Sequence, residues 1–73
     1  MDERNRKSSF AKRLKLLREE KGLSMGDLAE ATGFSKAMVS LWERNLNVPT
    51  IESAIKLAYY FGVTLHYIVG FEE

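Results

Sequence analysis

The sequence predicts an all-α fold of five short helices in one compact domain. Apolar residues recur three and four positions apart along most of the chain, and no stretch of strand length alternates apolar with polar residues. Ser, Thr, Gly and Asn also stand where such helices would begin and end. A length of 73 residues suits one small domain with a modest core.

Helix one is predicted to follow Ser8 and Ser9 and to end at Gly22, because glycine favours the left-handed conformation that closes a helix. Its apolar residues have the spacing of one buried face and are Phe10, Leu14 and Leu17. We therefore expect a flexible basic arm over residues 1–8, a folded domain over residues 9–70 and a short tail over residues 71–73.

Helices two and three are predicted to be short. Ser24, with Asp27 three residues later, forms a capping-box pattern that starts helix two, and Gly33 ends it about two turns on. Ser35 is the next candidate N-cap, and Asn45 tolerates the left-handed conformation that ends helix three. The apolar residues spaced to lie between these two helices are Ala29, Phe34, Val39 and Trp42.

Two further helices complete the predicted fold. Thr50 is expected to cap helix four and Gly62 to end it, while Thr64 caps a short helix five before Gly70. The apolar residues of helix four are Ile51, Ala54, Leu57, Ala58 and Phe61, and those of helix five are Leu65, Ile68 and Val69.

Composition excludes several classes of protein. The chain has no Cys, which excludes a disulfide framework and a thiolate metal site. Its apolar stretches are too short for a signal peptide or a membrane span. We therefore expect a cytoplasmic protein that does not enter the membrane.

Charge is unevenly distributed along the chain. Residues 1–21 carry eight Lys or Arg and four Asp or Glu, whereas residues 22–73 carry three and six. Such a basic segment is either a phosphate-contacting arm or, more commonly, a solvated helix face. The net charge of +1 does not by itself indicate a nucleic-acid partner.

The functional prediction is based on the short turn that joins helices two and three. Gly33, Phe34 and Ser35 form a tight turn that is followed at once by a capped helix, which is the pattern of a helix-turn-helix. In that motif the first helix crosses the DNA backbone and offers its N-terminal amides to a phosphate. The second helix lies in the major groove.

With these residues in register, the sequence resembles the phage-repressor and Cro-like helix-turn-helix proteins, also called the xenobiotic-response-element family. The resemblance covers roughly residues 10–70. It is carried by RLKLLREEKGLS over residues 13–24 and by Leu28, Ala29, Gly33, Phe34, Ser35, Val39, Ser40, Trp42, Glu43, Arg44, Pro49, Lys56, Leu57 and Ala58. It implies a lambda-repressor-like domain and a transcriptional regulator of prokaryotic or phage type, most often a repressor, that binds double-stranded DNA sequence-specifically.

The resemblance also implies roles for individual residues. Arg18 and Glu43 are expected to form a structural ion pair between helices one and three. Base contacts are expected from the start and exposed face of helix three, over about residues 35–45, and their residues are Ser35, Lys36, Ala37, Ser40 and Leu41. The expected phosphate contacts are Met25, Arg44 and Asn45.

Some positions depart from the family pattern. Met25 stands where Gln is common, so a phosphate contact there depends on backbone amides. Asn45 stands where Gly is common. Leu46, Asn47 and Val48 replace basic residues, which removes phosphate contacts and weakens salt-dependent affinity.

Nothing in the sequence predicts an enzyme. His66 is the only imidazole, and we expect it at the surface. The sequence offers no nucleophile with a base, no facing pair of carboxylates and no Gly-rich phosphate loop. We therefore expect no catalytic site, metal, cofactor or small-molecule ligand.

Two questions about partners stay open from the sequence. An alternative to DNA binding is a protein-interaction or antitoxin module that uses an apolar patch of Leu16, Met25, Met38, Leu41, Leu46 and Val48. Stand-alone family members commonly bind as homodimers, and the candidate contacts here are Tyr67, Val69 and Phe71. Packing of these three residues in the core is the alternative.

Overall fold

The computed structural model describes residues 3–70, with their side chains from Ser9 onward. This part of the chain forms five α-helices and no strand. Their bounds are α1 (Glu3–Glu20), α2 (Met25–Thr32), α3 (Lys36–Glu43), α4 (Ile51–Phe61) and α5 (Leu65–Val69). None of these helices combines the length and the apolar character needed to cross a membrane. The predicted all-α architecture is confirmed.

Each of helices α2 to α5 begins directly after the Ser or Thr that was predicted as its N-cap. At α2 both halves of the capping box are present: the Asp27 N–H donates to Ser24 Oγ at 3.0 Å, and the Ser24 N–H donates to Asp27 Oδ2 at 3.1 Å. The N-caps of the other three helices are Ser35, Thr50 and Thr64. Each cap accepts the N–H of the residue three positions later, which satisfies one otherwise unpaired donor of the first turn.

The loop that follows α3 begins with a left-handed residue. Asn45 has φ of 61°, and it is the one non-glycine residue with positive φ in the described part of the chain. Its N–H donates to the Trp42 carbonyl at 3.1 Å, and the Leu46 N–H donates to the Leu41 carbonyl at 2.9 Å. Asn tolerates this conformation better than most residues with a Cβ, so α3 ends here as the sequence predicts.

The core lies around α1, which packs against α3 and α5, and it is continued by α2 against α3 and by α4 against α5. Trp42 of α3 is at its centre, because its ring meets the ring of Phe10 at 6.2 Å and that of Phe34 at 5.0 Å, both edge to face. The largest fully buried side chains are Trp42, Leu14, Leu28, Leu57, Ile68 and Val39. Each of these belongs to the apolar pattern that predicted the helices.

The structure differs from the sequence prediction at two places. Helix α1 begins at Glu3, so residues 3–8 have helical backbone where we expected an arm. The Glu, Arg and Lys residues of this segment are good helix formers and allow the helix to extend beyond the last apolar contact. Ile51, which belongs to the apolar pattern that predicted helix four, is 64% exposed; it is the first residue of α4 and is not among the buried residues of that helix.

Candidate nucleic-acid interface

Helix α3 has one buried face and one open face. Val39 and Trp42 lie on the buried face. The residues opposite them form what we call the open face of α3: Lys36, Ala37 and Arg44, which are exposed, and Ser40 and Leu41, which are partly exposed. The helical repeat of 3.6 residues places all five on one side. Every base-contact residue predicted within α3, together with Arg44, is therefore on this side of the helix.

Lys36 and Arg44 mark the two ends of the open face. They are eight residues apart, which is about 12 Å along a helix axis. The Nε of Arg44 donates a hydrogen bond to Ser40 Oγ at 3.2 Å, so Ser40 holds the guanidinium along the helix. A guanidinium has five N–H donors, and this bond uses one of them. Arg44 thus keeps donors for a phosphate or a base edge.

The start of α2 lies beside the start of α3. The Cδ of Lys36 is 3.9 Å from the position that a Cβ on Gly26 would take, so the Lys36 side chain runs past the first turn of α2. The first N–H groups of a helix have no acceptor within it and attract anions. A phosphate at the first turn of α2 would therefore lie close to the Lys36 side chain.

Met25 opens α2, but its side chain is directed to the protein. It is partly buried and packs against the core, and a thioether has no hydrogen to donate. A phosphate contact at this position therefore depends on backbone amides, as the sequence predicts.

The negative charge of Asp27 disfavours binding of an anion at the same helix start. Its carboxylate accepts a hydrogen bond from the backbone N–H of Ser24, and this bond, with a further one to the Ser24 side chain, lowers the pKa of Asp27. The group is consequently ionised at neutral pH. Its negative charge reduces the attraction that the first turn of α2 offers to a phosphate.

Asn45 contributes less to such a surface than the sequence suggested. Its backbone N–H is already bonded to the Trp42 carbonyl, and its Oδ1 is buried without a hydrogen-bond partner among the described residues. The side-chain Nδ2 is therefore the donor through which Asn45 would reach a phosphate.

Arg18 and Glu43 join α1 to α3 from within the domain. Arg18 Nε donates to Glu43 Oε2 at 2.6 Å and Nη2 donates to Oε1 at 2.9 Å, which is the paired geometry that favours Arg over Lys. Nη1 also donates to the Leu23 carbonyl at 2.7 Å. The two side chains are only 11% and 6% exposed. The hydrogen bond to Glu43 raises the pKa of Arg18, and the pair fixes α3 against α1.

Two of the three candidate dimer contacts, Tyr67 and Val69, are partly buried in the domain itself. The Tyr67 ring lies under the Arg13 guanidinium, 4.5 Å from its centroid, and the Tyr67 carbonyl accepts a hydrogen bond from Arg13 Nη1. Val69 packs against the core. Phe71 lies outside the described residues. These contacts favour the core-packing alternative for Val69, whereas the Tyr67 ring is covered by Arg13.

The apolar patch considered as an alternative is only partly open. Leu16, Leu46 and Val48 are 48%, 62% and 51% exposed. Met25 and Met38, in contrast, pack against the core, and Leu41 is partly buried. The patch is therefore smaller than the sequence suggested.

Sequence reasoning missed contacts that depend on how the helices pack. The Lys56 ammonium lies 5.2 Å from the centroid of the Phe34 ring and so joins α4 to the turn between α2 and α3. An exposed apolar row on α4 was also missed. The spacing of Ile51, Ile55 and Tyr59 at four-residue intervals was the signal that would have revealed it.

Known proteins are similar to this chain in sequence and in fold. A family model, HTH_3, described as helix-turn-helix, matches residues 14–68. The HTH-type transcriptional regulator SutR of Escherichia coli strain K12 is 51% identical over 45 residues, which are 62% of this chain and 25% of SutR. The HTH-type transcriptional regulator SinR of Bacillus subtilis is 38% identical over 58 residues, which are 78% of this chain and 52% of SinR.

A solved structure extends the likeness to three dimensions. The HTH_3 family transcriptional regulator from Vibrio cholerae matches with a TM-score of 0.81 and 36% identity, over 92% of this chain and 38% of that one. This chain thus spans about half or less of each of these three relatives.

The matched segment contains both helices of the predicted motif. Residues 14–68 include α2, the turn and α3, together with most of the core around them. The relatives are transcriptional regulators by name, and this agrees with the prediction that the chain is not an enzyme. The chain belongs to the HTH_3 family of helix-turn-helix proteins.

Proposed function

We propose that this protein is a transcriptional regulator of the repressor type that binds double-stranded DNA sequence-specifically with α3 in the major groove. The observation that carries the proposal is the open face of α3, which presents a cation at each end while Val39 and Trp42 anchor the opposite side. A helix with this division of faces fits a groove about 12 Å wide.

The start of α3 supplies the base contacts in this proposal. The Lys36 ammonium donates to guanine O6 or N7, and the hydroxyl groups of Ser35 and Ser40 reach base edges. Ala37 and Leu41 have no polar side-chain atoms and contact thymine methyl groups. With one cation making hydrogen bonds to bases, the preferred site tolerates A·T pairs at several positions.

Phosphate contacts come from the end of α3 and the start of α2. Arg44 donates to a phosphate at one end of the open face, and the backbone N–H groups of Met25 and Gly26 bind a second phosphate. The loop after α3 adds no cation, because Leu46, Asn47 and Val48 are uncharged. The salt dependence of binding is consequently modest for a protein of this kind.

We also propose that the protein binds as a homodimer and acts in the cytoplasm. The 12 Å of the open face correspond to only three to four base pairs at about 3.4 Å each, which is too short a sequence to be distinctive in a genome. Two copies on paired half-sites double the sequence that is contacted.

Selection of bound sequences from random duplex DNA tests the proposal. We expect one motif to be enriched and its affinity to fall as salt increases. A variant with both Lys36 and Arg44 replaced by Ala is the control, and it should enrich no motif. Absence of enrichment for the wild-type protein, combined with protein association that strengthens with salt, would favour the interaction-module or antitoxin alternative.

A further inference from the structure

The Lys56 side chain of α4 lies against the turn that joins α2 to α3. Its ammonium is 5.2 Å from the centroid of the Phe34 ring and 3.4 Å from the position that a Cβ on Gly33 would take. Gly33 and Phe34 are two of the three residues between the two helices. Lys56 is an exposed residue, but its charged end is held at the turn of the helix-turn-helix.

The same ammonium lies at the C-terminal end of α2. Gly33 is the C-cap of that helix, with φ of 83°, and the last turn of α2 contains no basic residue. The carbonyl groups at the end of a helix carry a partial negative charge, which a nearby cation stabilises. Lys56 therefore supplies from α4 the positive charge that the end of α2 does not carry itself.

Phe34 connects Lys56 to α3. Its ring meets the Trp42 ring edge to face at 5.0 Å, and Trp42 is 2% exposed in the centre of the core. The next residue, Ser35, is the N-cap of α3 and accepts the Met38 N–H at 3.0 Å. Because Phe34 and Ser35 are adjacent, a shift of the ring would move the cap and the first turn of α3.

We propose that Lys56 is a positioning residue whose charge fixes the turn, and with it the start of α3, against α2 and α4. The consequence for regulation rests on the proposed DNA binding, whereas the contacts themselves do not. Hydrogen bonds to base edges depend steeply on angle and distance, whereas attraction to phosphates falls slowly with distance. Loss of the Lys56 charge should therefore weaken binding to the preferred sequence more than binding to random duplex.

A direct phosphate contact is the competing role for an exposed lysine. Such a contact contributes on any sequence, and its loss lowers the slope of log affinity against log salt by about one. The Lys56 ammonium is held on the Phe34 ring and beside the end of α2, so its removal should leave that slope unchanged. The two roles therefore predict different results for the same variant.

Fluorescence anisotropy with the selected duplex and with random duplex tests the consequence for DNA binding. Lys56→Gln should raise the Kd for the selected duplex by about two- to fivefold and that for random duplex much less. Lys56→Arg, which keeps a cation that stacks on aromatic rings, should restore the wild-type ratio of the two constants. Lys21→Gln is the matched control, since it removes an ammonium that lies 5.5 Å from the Tyr60 ring, outside the turn. It should leave the ratio unchanged.

Amide hydrogen exchange without DNA tests the positioning separately from the function. The N–H groups of Met38 and Val39 are bonded to the side chain and the carbonyl of Ser35. In Lys56→Gln they should exchange faster by about two- to fivefold, because the start of α3 opens more readily. Lys56→Arg and Lys21→Gln should keep the wild-type rate. The corresponding first-turn amides of α5 should be unaffected in all three variants, whereas a general loss of stability would accelerate both sets.

Three results would overturn the proposal. They are an equal weakening of both duplexes by Lys56→Gln with a lower salt slope, unchanged binding and exchange in Lys56→Gln, and failure of Lys56→Arg to restore them. If no variant binds DNA, and the wild-type protein does not either, the proposed function is wrong. The exchange rates then decide by themselves whether Lys56 positions the start of α3.

Discussion

Glu43 and Arg44 are neighbours in sequence but lie on different sides of α3. The Glu43 side chain is 6% exposed and holds Arg18, whereas Arg44 is exposed at the end of the open face. One helical step of about 100° separates them. Two adjacent charged residues are therefore separated: Glu43 is engaged in an ion pair within the domain, and Arg44 is the residue that we propose contacts DNA. The two roles can be measured independently.

Replacing Glu43 with Ala should destabilise the domain by about 3 kcal/mol, because it leaves the Arg18 guanidinium nearly buried without its charged partner. Urea unfolding measures the change. Glu30→Ala, which removes an exposed glutamate from α2, is the control and should change the unfolding midpoint little. An unchanged midpoint for Glu43→Ala would show that the ion pair does not stabilise this fold.

Lys36 and Arg44 should differ in what their removal does to DNA binding. Lys36→Ala should cost about 1–3 kcal/mol on the selected site and much less on random duplex, because a base contact contributes discrimination. Arg44→Ala should weaken both duplexes by similar factors and reduce the slope of log affinity against log salt by about one.

Fluorescence anisotropy at several salt concentrations separates these outcomes. Lys15→Ala, an exposed lysine of α1, controls for the loss of one positive charge and should have little effect on either duplex. If Lys36→Ala weakens both duplexes equally, Lys36 contacts a phosphate beside the start of α2, and the proposal that it contacts a base is wrong.

Leu57→Ala should cost about 2–5 kcal/mol of folding free energy, because Leu57 is fully buried and its removal leaves a cavity. Thermal melting followed by circular dichroism gives the loss. Leu16→Ala, at a leucine 48% exposed, should melt close to wild type. Similar melting of the two variants would mean that α4 does not pack as described.

The stability of the domain should fall in acid partly through Asp27. Its pKa is lowered in the folded state by the hydrogen bonds with Ser24, so the ionised form stabilises the fold above the ordinary aspartate pKa of about 3.9. This contribution should be lost as the pH falls through the lower folded value. The melting temperatures of wild type and Asp27→Asn should therefore differ by a constant amount between about pH 5 and 8 and converge below about pH 4. A constant difference down to strong acid would exclude the capping carboxylate as the cause.

Local features of the fold were predictable from the sequence, because their causes lie within four residues. The caps Ser24, Ser35, Thr50 and Thr64 bind amides three positions ahead, and Asn45 takes the left-handed conformation through its own backbone preference. The composition of the open face of α3 followed from the positions of Val39 and Trp42, since fixing a helix's buried face also fixes its exposed one.

Features that depend on packing were not predictable in this way. Ile51 has a spacing compatible with the core, and only the arrangement of the neighbouring helices leaves it 64% exposed. The contact of Arg13 with Tyr67 joins residues 54 positions apart. The Arg18 to Glu43 contact came from the family resemblance, because two charges 25 positions apart give no local signal of their pairing.

The short length of helices α2 and α3, eight residues each, determines how heat and destabilising mutations would affect regulation. Isolated helices shorter than about 12–15 residues are marginal in water, so neither survives without the rest of the domain. Helix α3, which we propose faces DNA, therefore unfolds together with the domain in a single cooperative step. Mutations in the interior, far from any nucleotide, should then produce heat-sensitive alleles whose defect is relieved by a higher concentration of the protein, and added operator DNA should raise their melting temperature because it binds only the folded form.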